Sequence, residues 1–185
     1  YSTTGYNNTA IGEESLRSNS TGIQNVALGM QSLFSNTTAS NNTAVGYQAG
    51  YSNTTGIELV ALGYSALYAN TTGNYNTAVG NAALRSNTTG ANNVSLGDSA
   101  LYTNTTGYQN TAIGATALYN NTTAANNTGV GYRAGVTNST GTNLTALGAY
   151  ALENTTGSAN TGVGAGALQA NSSGQYNTSL GVSSL

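Results

Sequence analysis

Few side chains in this sequence could carry out chemistry. It has no His, no Cys and no Lys, which removes Ser-His-Asp and Cys-His nucleophiles, the usual zinc ligands, the P-loop lysine and the Schiff base. The charged residues are Arg17, Arg85 and Arg133 against Glu13, Glu14, Glu58, Asp98 and Glu153. Glu13 and Glu14 form the one adjacent carboxylate pair, and neighbours on a strand point apart, so they do not make a glycosidase acid and base. Calcium-binding solenoids carry an Asp in every repeat, whereas Asp98 stands alone here. We therefore expect no enzyme, no metal and no cofactor. The aromatics are the remaining candidates for binding. Tyr51, Tyr68, Tyr102 and Tyr119, with Phe34, recur at one phase of the sequence, and Tyr47, Tyr64, Tyr132 and Tyr150 form a looser second group. Exposed Tyr suits contact with a glycan or a protein surface, while a stacked row that stiffens the molecule is the competing expectation.

A net charge of −2 with so few charged residues leaves no basic stripe for nucleic acid and no basic amphipathic stretch for a membrane surface. No apolar run reaches the roughly 20 residues of a transmembrane helix, and no signal peptide is legible. Abundant Asn, Thr, Ser and Gly at low charge could read as disorder. Strict apolar columns argue otherwise.

Those columns come from a repeat. Asn8-Thr9-Ala10-Ile11-Gly12 returns at Asn42 to Gly46, Asn76 to Gly80 and Asn110 to Gly114, and its glycine falls at 12, 29, 46, 63, 80, 97, 114, 131, 148, 164 and 181. The step is 17 residues, broken once by a step of 16, so residues 1–185 are one domain of eleven units. A fixed period of this length predicts a solenoid. The residue before each glycine is aliphatic, as at Ile11, Val45, Val79 and Ile113, and two residues earlier sits Thr or Val. Period-two runs closed by Gly read as strands. Ala-Leu or Ser-Leu follows, read as a second short strand segment, and then Asn-Thr-Thr-Gly, read as a turn whose glycine supplies positive φ. Ala39 and Ala124 replace that glycine.

The fold expected is therefore all-β: a parallel β-solenoid of eleven coils of about 17 residues, stacking at roughly 4.8 Å into a rod about 50 Å long. Like positions lie above one another, so Asn8, Asn42, Asn76 and Asn110 belong to an amide ladder, interrupted by Leu59 and Leu144. Leu59 and Leu144, Gly50 and Gly135, and Ala39 and Ala124 are each 85 residues apart, an approximate superunit of five coils. On hydrophobicity, the face with Ile11, Val45, Val79 and Ile113 is expected to be the core. The small-residue column, Ala78 among it, is expected to face outward and admit another chain. By that expectation Ala78→Leu disrupts assembly. No polar end cap is legible, which predicts an excerpt of a longer fibre or ends that stack on other copies.

The Asn-Thr-Ala-Ile-Gly motif followed by Ala-Leu resembles the head repeats of YadA-like trimeric autotransporter adhesins. The Gly-Tyr-x-Ala-Gly and Asn-Thr-Thr-Gly motifs are similar to phage tail-fibre-like repeats. The resemblance implies a left-handed β-roll, three chains side by side, on a cell or virion surface, binding a host glycan or protein. The coils are longer than those of the adhesin head, and no neck, stalk or anchor is legible within these 185 residues. Two alternatives remain: a filament subunit stacking head to tail, and an ice-binding solenoid. The second rests on the paired hydroxyls Thr3-Thr4, Thr37-Thr38 and Thr54-Thr55. The same Asn-Thr-Thr segments match the N-glycosylation sequon, as chance matches in so Asn- and Thr-rich a chain.

Overall fold

The computed structural model describes residues 4–185; Tyr1, Ser2 and Thr3, including half of the Thr3-Thr4 pair, lie outside the described residues. Each coil contributes one three-residue strand: β1 (Thr9–Ile11), β2 (Val26–Leu28), β3 (Thr43–Val45), β4 (Val60–Leu62), β5 (Thr77–Val79), β6 (Val94–Leu96), β7 (Thr111–Ile113), β8 (Thr128–Val130), β9 (Thr145–Leu147), β10 (Thr161–Val163) and β11 (Thr178–Leu180). They form one parallel sheet in sequence order. Register is strict: Ala61 faces Ala78 and Leu62 faces Val79 in the next coil. The eleven-coil β-solenoid read from the period is the fold.

The two faces of the strand are the reverse of the expectation. Ala27, Ala44, Ala78, Ala112 and Ala146 at the strand centres are fully buried, while Ile11 is 58% and Leu28 42% exposed. The interior is built from the strand alanines, the alanines of the Ala-Leu segment such as Ala66, Ala83 and Ala100, the Leu33-to-Leu152 column, and two columns of Asn. A coil this short encloses little width, so only Ala, Ser or Gly fits behind the strand opposite the leucines. Larger side chains are driven outward. The small column is thus a core column, and Ala78→Leu acts on folding.

The Ala-Leu segment is a turn rather than a second strand. Its leucines take the left-handed conformation, with φ of 49° at Leu33 and 51° at Leu84. Left-handed backbone costs a residue with a Cβ about 1–2 kcal/mol. Burial of each leucine and a bond from its N–H to the next coil, such as Leu84 N–H to Ala100 O at 2.9 Å, hold it there. Gly50 and Gly135 occupy the same place, and Leu33 or Leu118 of the preceding coil fills the space, with Cδ2 only 3.0 Å or 2.8 Å from where a Cβ would stand.

Glycine is required at the strand end for two reasons. Gly80 has φ of 136°, and a Cβ there would lie 2.4 Å from the Gly97 carbonyl oxygen. The turn glycines are selected differently from the expectation. Gly73 and Gly90 are outside the positive-φ region; their constraint is closeness, a Cβ on Gly90 meeting Gly107 O at 2.3 Å.

The one short coil hides a phase shift. Asn154-Thr155-Thr156-Gly157 matches the tetrad by sequence, yet Thr155 occupies the buried place and Asn154 is exposed. Thr155 N–H bonds Leu152 O as Asn19 N–H bonds Leu16 O, and Thr155 Oγ1 donates to Asn171 O at 2.7 Å. The missing residue is absorbed in the turn, and β9 and β10 stay in register.

Candidate functional site

The interior polar columns are structural. In the strand-side ladder, the Oδ1 of one Asn accepts the next coil's backbone N–H, as from Asn93 to Asn76 at 3.0 Å and Asn110 to Asn93 at 3.0 Å. Its Nδ2 donates to a turn carbonyl, as Asn93 does to Gly107 at 2.9 Å. This is the ladder expected from Asn8, Asn42, Asn76 and Asn110. Leu59 and Leu144 still donate their N–H to Asn42 and Asn127 but pass no amide onward.

A second ladder was read from sequence only as turn chemistry. From Asn36 to Asn138 the first residue of each Asn-Thr-Thr-Gly-type tetrad donates Nδ2 to the Oδ1 of the Asn in the coil before, beginning with Asn36 to Asn19 at 2.9 Å. Asn70 does so to Asn53 at 2.9 Å, Asn87 to Asn70 at 2.8 Å and Asn104 to Asn87 at 2.9 Å. Each also donates to the carbonyl three residues on, as Asn87 to Gly90 at 2.9 Å. The signal available was that Asn holds this place in eight successive units, from Asn19 to Asn138, while the residues between tetrads vary. Among the described residues no buried side-chain nitrogen or oxygen lacks a partner, the condition under which buried amides stabilise. Asn53, Asn70 and Asn87 are fully buried, so the sequons they open present no free amide in the folded chain.

The hydroxyl pairs divide. From Ser20 to Thr122 the first of each pair is spent on the backbone: Thr54 Oγ1 donates to Thr71 O at 3.0 Å and Thr71 to Thr88 O at 3.0 Å. Only the second, such as Thr55, Thr72 and Thr89, is exposed.

Tyr51, Tyr68, Tyr102 and Tyr119 form a stacked column. Phe34 and Tyr51 lie 4.9 Å apart at 8°, Tyr51 and Tyr68 5.2 Å at 7°, and Tyr102 and Tyr119 5.1 Å at 6°. Arg85 sits between the halves, 5.0 Å from the Tyr68 ring and 5.8 Å from Tyr102, and Arg17 lies 5.2 Å over Phe34. Stacking and cation–π contact account for these residues, and the shared ring faces are closed to a ligand. The third arginine, Arg133, bonds Glu153 at 2.8 Å; that carboxylate raises the guanidinium pKa above its ordinary value. Glu14 pairs with Arg17 at 2.9 Å and accepts from Gln31, while Glu13 is exposed. Among the described residues no group of acidic side chains could hold a metal ion.

The remaining surface is polarised. Apart from Leu185, every exposed large hydrophobic among the described residues lies on a strand or within three residues of one. Ile11, Val26, Leu28 and Ile113 are on the strands. Tyr6, Tyr75 and Tyr108 precede them, and Met30, Tyr47, Tyr64 and Tyr132 follow at the corner. The tetrads themselves contain no large hydrophobic, although Tyr6 and Tyr108 directly follow a tetrad's glycine. The outward strand columns, Thr or Val followed by Ile, Leu or Val, form a continuous ridge down the sheet and are the leading candidate for an interface. Comparison with protein-family models, with curated proteins and with solved structures gives no match to this chain.

Proposed function

We propose that this chain is a rod segment of an extracellular fibre, displayed on a cell or virion surface. Copies pack side by side through the outward strand face and present the remaining repetitive surface to a host or matrix partner. The observation that carries this reading is the concentration of exposed apolar side chains on the strands and within three residues of them. A contiguous apolar strip of this kind on a soluble molecule marks an interaction surface. The adhesin-head resemblance suggests three copies. The chain's role here is structural and adhesive rather than catalytic.

Light scattering coupled to size exclusion tests it. A discrete oligomer that Val79→Asp converts to monomer is the expected result. Long concentration-dependent polymers would favour head-to-tail stacking instead, and a monomer at every concentration would overturn the side-by-side reading.

One observation favours ice binding as a second reading. The outward columns pair a Thr with an aliphatic residue, as in Thr77 with Val79 and Thr111 with Ile113, in every strand except β2, β4 and β6, where Val26, Val60 and Val94 replace the Thr. These threonines replace the turn pairs as its candidates. Thermal hysteresis and ice shaping that Thr77→Tyr abolishes would support it; their absence in the unsubstituted protein would eliminate it.

A further inference from the structure

We infer that the corner column from Tyr64 to Tyr132 is a trough that binds a neutral oligosaccharide. This names a ligand class for the proposed adhesive surface and rests on that reading for its biological setting, although its chemistry does not need the side-by-side packing.

The corner residues just after the strand-end glycines stack in the order Tyr47, Tyr64, Asn81, Asp98, Ala115, Tyr132. Tyr47 and Tyr64 are stacked, centroids 5.3 Å apart and rings within 17° of parallel. Tyr47 therefore backs one face of Tyr64, and the other face looks along the rod toward the next coil. There the corner residue is Asn81, whose side chain is too short to cover a phenol ring. Tyr64 is accordingly 58% exposed. Asp98 and Ala115 continue the low floor, and Tyr132, 48% exposed, closes the far end. Four coils at the strand spacing separate the two tyrosines by roughly 19 Å, room for a short oligosaccharide.

The floor is polar and arranged. Asn81 Nδ2 donates to Asp98 Oδ1 at 2.7 Å across the coil step, and both residues are exposed. That bond fixes the amide and the carboxylate side by side. Asn81 Oδ1 and Asp98 Oδ2 remain as acceptors for hydroxyl donors. A flat ring wall beside paired planar acceptors matches the two halves of a pyranose, its C–H face and its hydroxyl edge. The single charge in the floor is a carboxylate, which favours neutral over acidic sugars. The Tyr51 and Tyr102 column offers no such wall, because its rings cover one another.

Saturation-transfer NMR with cellotetraose, chitotetraose and mannotetraose as separate probes tests the trough. Transfer to at least one is expected, with binding about tenfold weaker in Tyr64→Ala, retained in Tyr64→Phe, and unchanged in Thr89→Ala on the opposite side. Absence of transfer from all three, or equal transfer in Tyr64→Ala, overturns the proposal. Should Tyr64→Ala fail to fold by circular dichroism, the exposed changes Asn81→Ala and Asp98→Ala decide it, and wild-type binding in both would count against the trough. Val79→Asp separates the two readings. A sugar-binding monomer retains the trough whatever becomes of the fibre, whereas an oligomer blind to all three sugars retains the fibre alone.

Discussion

The two sides of this rod use the same residue types in opposite ways. On the turn side the polar groups face inward: Asn70, Asn87 and Asn104 are fully buried, and Thr71 and Thr88 bind the next coil's carbonyls. On the strand side the apolar groups face outward, with Ile11, Leu28 and Ile113 exposed. The contrast follows from the width of the coil. A narrow interior has no room for a hydrocarbon core of ordinary size, yet it holds turn carbonyls that need donors, and a buried unpaired carbonyl costs about 1–3 kcal/mol. Asn meets that need and Ala fits the space left over. Large aliphatic side chains are then surplus to the interior except in the Leu16-to-Leu168 column, at the ladder gaps Leu59 and Leu144, and at Val136.

Substitutions at neighbouring positions can break this comparison. Ala78→Leu should have the largest effect. It inserts a branched side chain behind the strand, where overpacking costs roughly 1–3 kcal/mol, and a lowered melting temperature by circular dichroism is expected; an unchanged melt would mean the interior is wider than described. Asn87→Leu follows, since it removes the donor to both Asn70 and Gly90, with an expected loss of roughly 1–3 kcal/mol. Urea titration would read it, with faster amide exchange around Thr88 to Gly90. Val79→Asp, one residue from Ala78 but on the other face, should leave the melt of the single chain within about 1 kcal/mol of the parent while lowering the mass seen by light scattering. Loss of the fold instead would place Val79 in the core. Thr89→Ala, on the exposed second hydroxyl of its pair, should shift stability by no more than about 0.5 kcal/mol, and a larger shift in the same titration would show that both hydroxyls are structural.

Much of this was legible in the spacing. The step between glycines located all eleven strands, and the constant Asn of Asn8, Asn42 and Asn76 predicted the first ladder. The second ladder was hidden because Asn in an Asn-Thr-Thr-Gly tetrad already has an explanation in turn chemistry, and local sequence does not separate a side chain bonding its own turn from one bonding the next coil. Asn87 does both. Asn154 shows the limit from the other direction. Its tetrad is intact as sequence, but the short coil puts Thr155 at the ladder position. The Tyr candidates divided for a similar reason. Periodicity placed Tyr51 and Tyr68 in one column, and only the ring planes show that they close each other off.

By itself, the sequence determined the period, the parallel in-register stack and, outside the one short coil, which residues share a column, because a repeat of constant length can place like residues over like only by stacking. What the tertiary structure decided was the direction of each column. A strand alternates between two faces whatever encloses it, and hydrophobicity alone assigns Val79 inward and Ala78 outward. The closed coil reverses that assignment, since the width it leaves behind the strand accommodates a methyl group and the carbonyls it encloses require amides.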